Sequence, residues 1–109
     1  INTAQFIESI GDVVLSRKSK EVAYHLAVVV DDEAQAISHV VRGSDLKSST
    51  DIHVLLQKLL GYTSPWYLHH KLIRDKSGKR LAKRDDAKSI SKFREQGCSP
   101  ADVRTLVGL

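Results

Sequence analysis

The chain has 109 residues, 41% of them hydrophobic and 28% charged, which bounds it to one domain at most, with enough apolar side chains to bury a core. Its 17 lysines and arginines against 13 acids give a formal charge of +4, and the cations concentrate between Lys71 and Arg94, which points to a nucleotide or nucleic-acid partner. No run approaches the roughly 18 apolar residues of a bilayer span and no export signal opens the chain, so no membrane association and a cytoplasmic location are expected.

Phe6, Ile7 and Ile10 lie at helix-compatible spacing in a short first segment. Asp12 to Arg17 then reads as a strand, and the polar run Arg17 to Glu21 as a turn. From Tyr24 to Val30 the chain is apolar except for His25, and this run fits a buried strand or a buried helix equally well. It stops at Asp31-Asp32. Ile37 to Val41 is β-rich and apolar enough for a buried parallel strand that ends at Arg42-Gly43-Ser44-Asp45. Ser48, Ser49 and Thr50 are candidate N-caps for the clearest helix, with Ile52, Leu55, Leu56, Leu59 and Leu60 on its apolar face and Gly61 as its stop. After the turn Thr63-Ser64-Pro65, Trp66 to His70 and then Leu72-Ile73 read as a further strand. Strand, helix, strand in about 35 residues is a βαβ unit with a parallel pair. Ile90 and Phe93, then Val103, Leu106 and Val107, mark two short helices, the second opening at Ser99-Pro100. The fold class is therefore α/β with a parallel sheet, followed by a small helical appendage.

Ligands of open α/β sheets bind outside the carboxyl ends of the strands. Here those ends are Arg42 to Asp45 and His69-His70. Arg42 can fork onto a carboxylate or phosphate, or pair with Asp45 or Asp31. Asp31-Asp32 and Asp85-Asp86 are read as helix or turn caps rather than magnesium ligands. Five histidines and one cysteine show no zinc spacing, so no protein-held metal is expected. Cys98 excludes an intrachain disulfide and is expected to be a buried or half-buried thiol. Trp66 and Tyr67 are assigned to core or rim, and Tyr24 to packing. Lys76 to Arg84 puts five cations and Gly78 into nine residues, either a polyphosphate clamp or a solvated basic turn.

Tyr24-His25-Leu26-Ala27-Val28-Val29-Val30-Asp31-Asp32, then Val41-Arg42-Gly43-Ser44-Asp45-Leu46 with Ser49-Thr50, and then Gly78-Lys79-Arg80-Leu81-Ala82-Lys83-Arg84 are three blocks in register over roughly residues 12 to 93. Together they resemble the second half of the catalytic domain of glutamate-specific class I aminoacyl-tRNA synthetases, a Rossmann-like, HUP-type fold. Val28 and Leu46 stand where ordinary glutamyl-tRNA synthetases carry asparagine and tryptophan or histidine, which favours the glutamyl-Q tRNA(Asp) synthetases.

The resemblance implies a ligase that activates glutamate with ATP to glutamyl-adenylate and transfers it to tRNA, to queuosine of tRNA(Asp) in the favoured branch. The alternative is charging of tRNA(Glu), and a non-catalytic RNA-binding module is the second alternative. The resemblance assigns Tyr24 and Arg42 to the substrate glutamate. It assigns Gly43, Ser44 and Asp45, with the main chain at Leu72 and Ile73, to ATP. Arg80 and Lys83 become the cations of the loop usually written K-M-S-K-S, Lys83 neutralising charge on the triphosphate. Mg2+ is expected to accompany ATP, and the full-length protein to be monomeric.

Ala82 for serine, Arg80 for lysine and Lys71 for proline are departures that bear on fine tuning. No H-x-G-H motif occurs, and the first residue is Ile1 with no methionine in the chain. These residues are thus expected to be a segment of a longer protein, inactive alone. Residues 1–84 would form the second half of the nucleotide-binding domain and 85–109 a helical appendage like the family's stem-contact region.

Overall fold

The computed structural model describes residues 3–81 and 89–109. The chain forms two compact units, Ile1–Lys71 and Leu72–Leu109. The first contains α1 (Thr3–Ser9), α2 (Tyr24–Ala34), β1 (His39–Gly43), a 3-10 turn (Ser44–Leu46), α3 (Lys47–Leu60) and β2 (Trp66–His70).

The ambiguous run from Tyr24 resolves as helix, because it carries on through Asp31-Asp32 to Ala34. These acids cap nothing by position: they occupy the last turns of α2, where Asp31 O accepts from Gln35 N and Asp32 O from Ile37 N, both at 2.9 Å. The strand expected over Asp12 to Arg17 is absent. Among the described residues that segment has no partner strand, only an isolated antiparallel bridge, Ser16 to Val22, closing the expected turn. Its period of two survives in burial: Val13 and Leu15 pack on the core while Val14 is exposed.

β1 and β2 pair in parallel, Arg42 opposite His69 and Gly43 opposite His70, with α3 crossing between them. This is the expected βαβ unit, and both carboxyl ends lie at one edge. The second strand stops at His70, so Leu72 and Ile73 fall outside it, in the second unit. The strands are not buried on both faces as their apolar sequence suggested. Val41 (64% exposed), Leu68 (63%) and Trp66 (78%) share the outer face, while α3 bonds the other face through Arg42 and Tyr67.

α3 begins at Lys47, straight out of the 3-10 turn, with Leu46 at the cap position. Ser48, Ser49 and Thr50 therefore sit inside the helix and do not cap it. The left-handed Gly61 (φ 74°) ends it as expected, and Tyr62 N donates to Gln57 O at 2.8 Å. Its buried stripe is Ile52, His53, Leu56 and Gln57, while Leu55, Leu59 and Leu60 are exposed. The inward face is thus rotated from the one the leucines suggested. Ile52 and Leu56 meet Val29 of α2 in the core, with Phe6, Ile10, Val28 and Tyr62 packed around them.

In the second unit, an antiparallel bridge joins Arg74 to Arg80 across a tight turn. Asp75 Oδ1 accepts from Ser77 N (2.9 Å), Ser77 Oγ (2.6 Å) and Lys79 N (2.9 Å), and Gly78 takes φ 82°. Those hydrogen bonds hold the Asp75 carboxyl below the usual range, the one from the Ser77 side chain foremost. The expected short helices are α4 (Ile90–Glu95) and α5 (Pro100–Val107). Ser99 and Asp102 form a reciprocal capping box with Pro100 in the first turn of α5. Cys98 is a half-buried free thiol. Among the described residues, no helix is long and apolar enough to cross a membrane.

Candidate functional site

The inner face of the sheet and the stripe of α3 enclose a polar cluster. Arg42 leaves β1 at its carboxyl end and is held by neutral groups. Its Nη1 donates to His53 Nδ1 at 3.2 Å, its Nη2 donates to Thr50 Oγ1, and its guanidinium carbon lies 5.0 Å from the Tyr67 ring centre. Thr50 Oγ1 also shares a hydrogen bond with His69 Nε2 at 2.8 Å. The hydroxyl that failed to cap α3 is thus committed to this cluster. Gln57 Nε2 donates to the Tyr67 hydroxyl at 2.9 Å.

A guanidinium can only donate. His53 Nδ1 must therefore be the acceptor, which places its proton on Nε2, facing His25 Nδ1 at 3.0 Å. His25 in turn accepts there, so its own proton lies on Nε2. Tyr24 completes the group, its ring edge-on to His53 at 5.7 Å and to His25 at 5.3 Å. His53 is only 2% exposed. Burial, then the positive Arg42 and the neighbouring His25, lower its pKa from 6.5 to about 4.

This shift has a sign that can be tested. The unfolded chain binds the His53 proton near pH 6.5 and the folded one only near 4, so this contribution is complete above about 6.5 and is lost as pH falls towards 4. The loss is expected to be about 3 kcal/mol. The groups facing His53 are Tyr24 and His25 from α2 and Arg42 from β1. Urea unfolding between pH 7.5 and 4 should show the loss, and His53→Gln should flatten it. An unchanged pH slope in that variant would assign the effect elsewhere.

Two of the sequence-assigned residues, Tyr24 and Arg42, thus meet through His53. Tyr24 is 53% exposed, more open than a packing role requires. Gly43, Ser44 and Asp45 follow Arg42 directly, at the end of β1 and in the 3-10 turn, with Ser44 and Asp45 exposed. Leu72, Ile73 and Arg80 lie in the second unit, where Ile73 O accepts from Leu81 N at 3.1 Å and Arg80 is exposed opposite Arg74. Lys83, Ala82, Arg84 and the pair Asp85-Asp86 lie outside the described residues. Among the described residues, no group of three or more His, Cys, Asp or Glu is placed to hold a metal ion.

Sequence reasoning placed His69 at the ligand edge of the sheet but missed Thr50, His53 and Gln57 as members of this site. The available signal was positional: His53 and Gln57 are four apart and each adjoins a core residue, Ile52 and Leu56, so they share the inward stripe.

Comparison with known proteins identifies the family. The family described as tRNA synthetases class I (E and Q), catalytic domain, matches residues 2–109. A glutamyl-Q tRNA(Asp) synthetase of Rhodobacter capsulatus is 56% identical over 109 residues, all of this chain and 39% of the relative. One of Geobacter sulfurreducens is 49% identical over 85 residues, 78% of this chain and 27% of the relative. A solved glutamate tRNA ligase of Elizabethkingia meningosepticum, in complex with its amino acid, superposes with a TM-score of 0.73 at 29% identity, covering 94% of this chain and 24% of that one. The chain spans about two fifths or less of the length of these relatives. With three sequence blocks, a parallel βαβ unit and this match from end to end, the chain belongs to the class I tRNA synthetases (E and Q), within their catalytic domain.

Proposed function

We propose that the protein containing this chain activates glutamate with ATP to glutamyl-adenylate and transfers it to the queuosine base of tRNA(Asp). The observation that carries this reading is the 56% identity to a glutamyl-Q tRNA(Asp) synthetase across all 109 residues. The site geometry supports the glutamate half. Arg42 is a forked donor held by neutral partners, so its full charge is available to one carboxylate, and Tyr24 stands beside the same cluster with half its surface open.

Gly43, Ser44 and Asp45, at the ligand edge of the sheet, take the ATP ribose and adenine edge, together with the main chain at Leu72 and Ile73. Residues 1–84 supply the second half of the nucleotide-binding domain and 85–109 the helical appendage. Mg2+ enters with the phosphates of ATP, and the protein works as a cytoplasmic monomer. Arg80 and Lys83 supply positive charge to the triphosphate as the glutamate carboxylate attacks the α-phosphorus. That chemistry is positioning and electrostatic stabilisation. Lys83→Ala is accordingly expected to cut glutamate activation about 10²–10³-fold with the fold unchanged, as shown by circular dichroism. Near-normal activation would remove Lys83 from the reaction.

The deciding experiment is glutamate-dependent ATP–pyrophosphate exchange by the full-length protein, without tRNA and then with unfractionated tRNA. Exchange without tRNA is the result expected of the glutamyl-Q branch. Exchange only with tRNA would move the protein to the branch that charges tRNA(Glu), and none in either condition would leave RNA binding without chemistry.

A further inference from the structure

The terminal nitrogens of Arg42 are both tethered from one helix. His53 and Thr50 are three apart in α3, one above the other on the same face, and each takes one N–H of a different nitrogen. Among the described residues, neither nitrogen has a further hydrogen-bond partner. Arg42 Nε is buried and, among the described residues, has no partner, so the orientation of the guanidinium rests on these two tethers and the Tyr67 ring.

The His53 tether works only while Nδ1 carries a lone pair. Two features secure that. The ring is buried enough to stay neutral, and the Nε2–H that the Arg42 donor requires of it finds a partner in His25 Nδ1 at 3.0 Å.

We propose that His53 is the positioning residue of the carboxylate site, fixing the Arg42 fork through Nδ1 while His25 takes the proton-bearing Nε2. The proposal rests on the assignment of Arg42 to the substrate carboxylate. A fork that is already oriented does not have to be ordered by the substrate, so the effect falls on glutamate binding.

The test uses the full-length protein in pyrophosphate exchange, with KM for glutamate, KM for ATP, kcat and melting temperature measured for each variant. In His53→Gln the side-chain amide reaches the Nε2 position and leaves Arg42 without its acceptor; in His53→Asn, Oδ1 can replace Nδ1. His53→Gln is expected to raise the glutamate KM about 10- to 100-fold with the ATP KM within about twofold, and His53→Asn to recover most of that loss. A wild-type glutamate KM in His53→Gln would overturn the proposal. So would a parallel rise in both KM values with a lowered melting temperature in both variants, the mark of a purely structural histidine. If His53→Gln does not fold, His53→Asn decides alone, since a glutamate KM raised as far as by loss of the acceptor would contradict the tether. Arg42→Lys separates the two assignments: an unchanged glutamate KM there would sink the role of Arg42 itself, and with it this proposal.

Discussion

Arg42→Ala is expected to lower kcat/KM for glutamate about 10²–10³-fold in the exchange reaction, chiefly through KM, while the KM for ATP stays near normal. The substitution removes a forked cation facing one carboxylate, and truncating one partner of a desolvated charge pair typically costs about 2–5 kcal/mol. Lysine is not expected to rescue it, because a single ammonium cannot take both tethers and the ligand in one plane. A structural cost accompanies the kinetic one. His53 Nδ1, 3.2 Å from the guanidinium in the native protein, would be left buried without a donor, which costs about 1–3 kcal/mol. Steady-state kinetics with glutamate and ATP varied separately, beside urea unfolding, would resolve the two. An ATP-specific defect would point to a nucleotide role for Arg42 instead.

Leu56→Ala is the substitution expected to cost most in stability, about 2–4 kcal/mol by urea unfolding. The buried apolar core of the described residues is small, Val29, Ile52 and Leu56, so the side chains around position 56 have little left with which to close a cavity. Leu59, on the same helix but 73% exposed, serves as the internal comparison, and Leu59→Ala should change stability by well under about 1 kcal/mol. Equal losses at the two positions would mean that the outward face of α3 is covered in the full-length protein.

The contrast between these two leucines shows what the sequence could and could not convey. The existence of α3, its stop at Gly61 and the parallel pairing around it were legible, because local chemistry decides them: a left-handed glycine, a 3.6-residue period, two β-rich runs at βαβ spacing. Which face of α3 turns inward was not. Five leucines and isoleucines drew the apolar stripe through Leu55 and Leu59, whereas the inward face also bonds Arg42 and Tyr67, through Thr50, His53 and Gln57. Thr50 was misplaced for the same reason: a hydroxyl near a helix start reads locally as a cap, and here it also bonds side chains of both strands, Arg42 and His69. Asp12 to Arg17 shows the opposite failure. Its alternation is real, but a strand needs a neighbour and alternation does not supply one.

The outward face of the two-stranded sheet has a practical corollary. Val41, Leu68 and Trp66 form a water-facing apolar strip on adjacent strands, the kind of surface that draws chains together in dilute buffer. Handled as an excised polypeptide, this segment would be held back by colloidal behaviour before any question of chemistry arose. Recovery from inclusion bodies, detergent dependence and light scattering would report on that strip rather than on the ligand edge of the sheet.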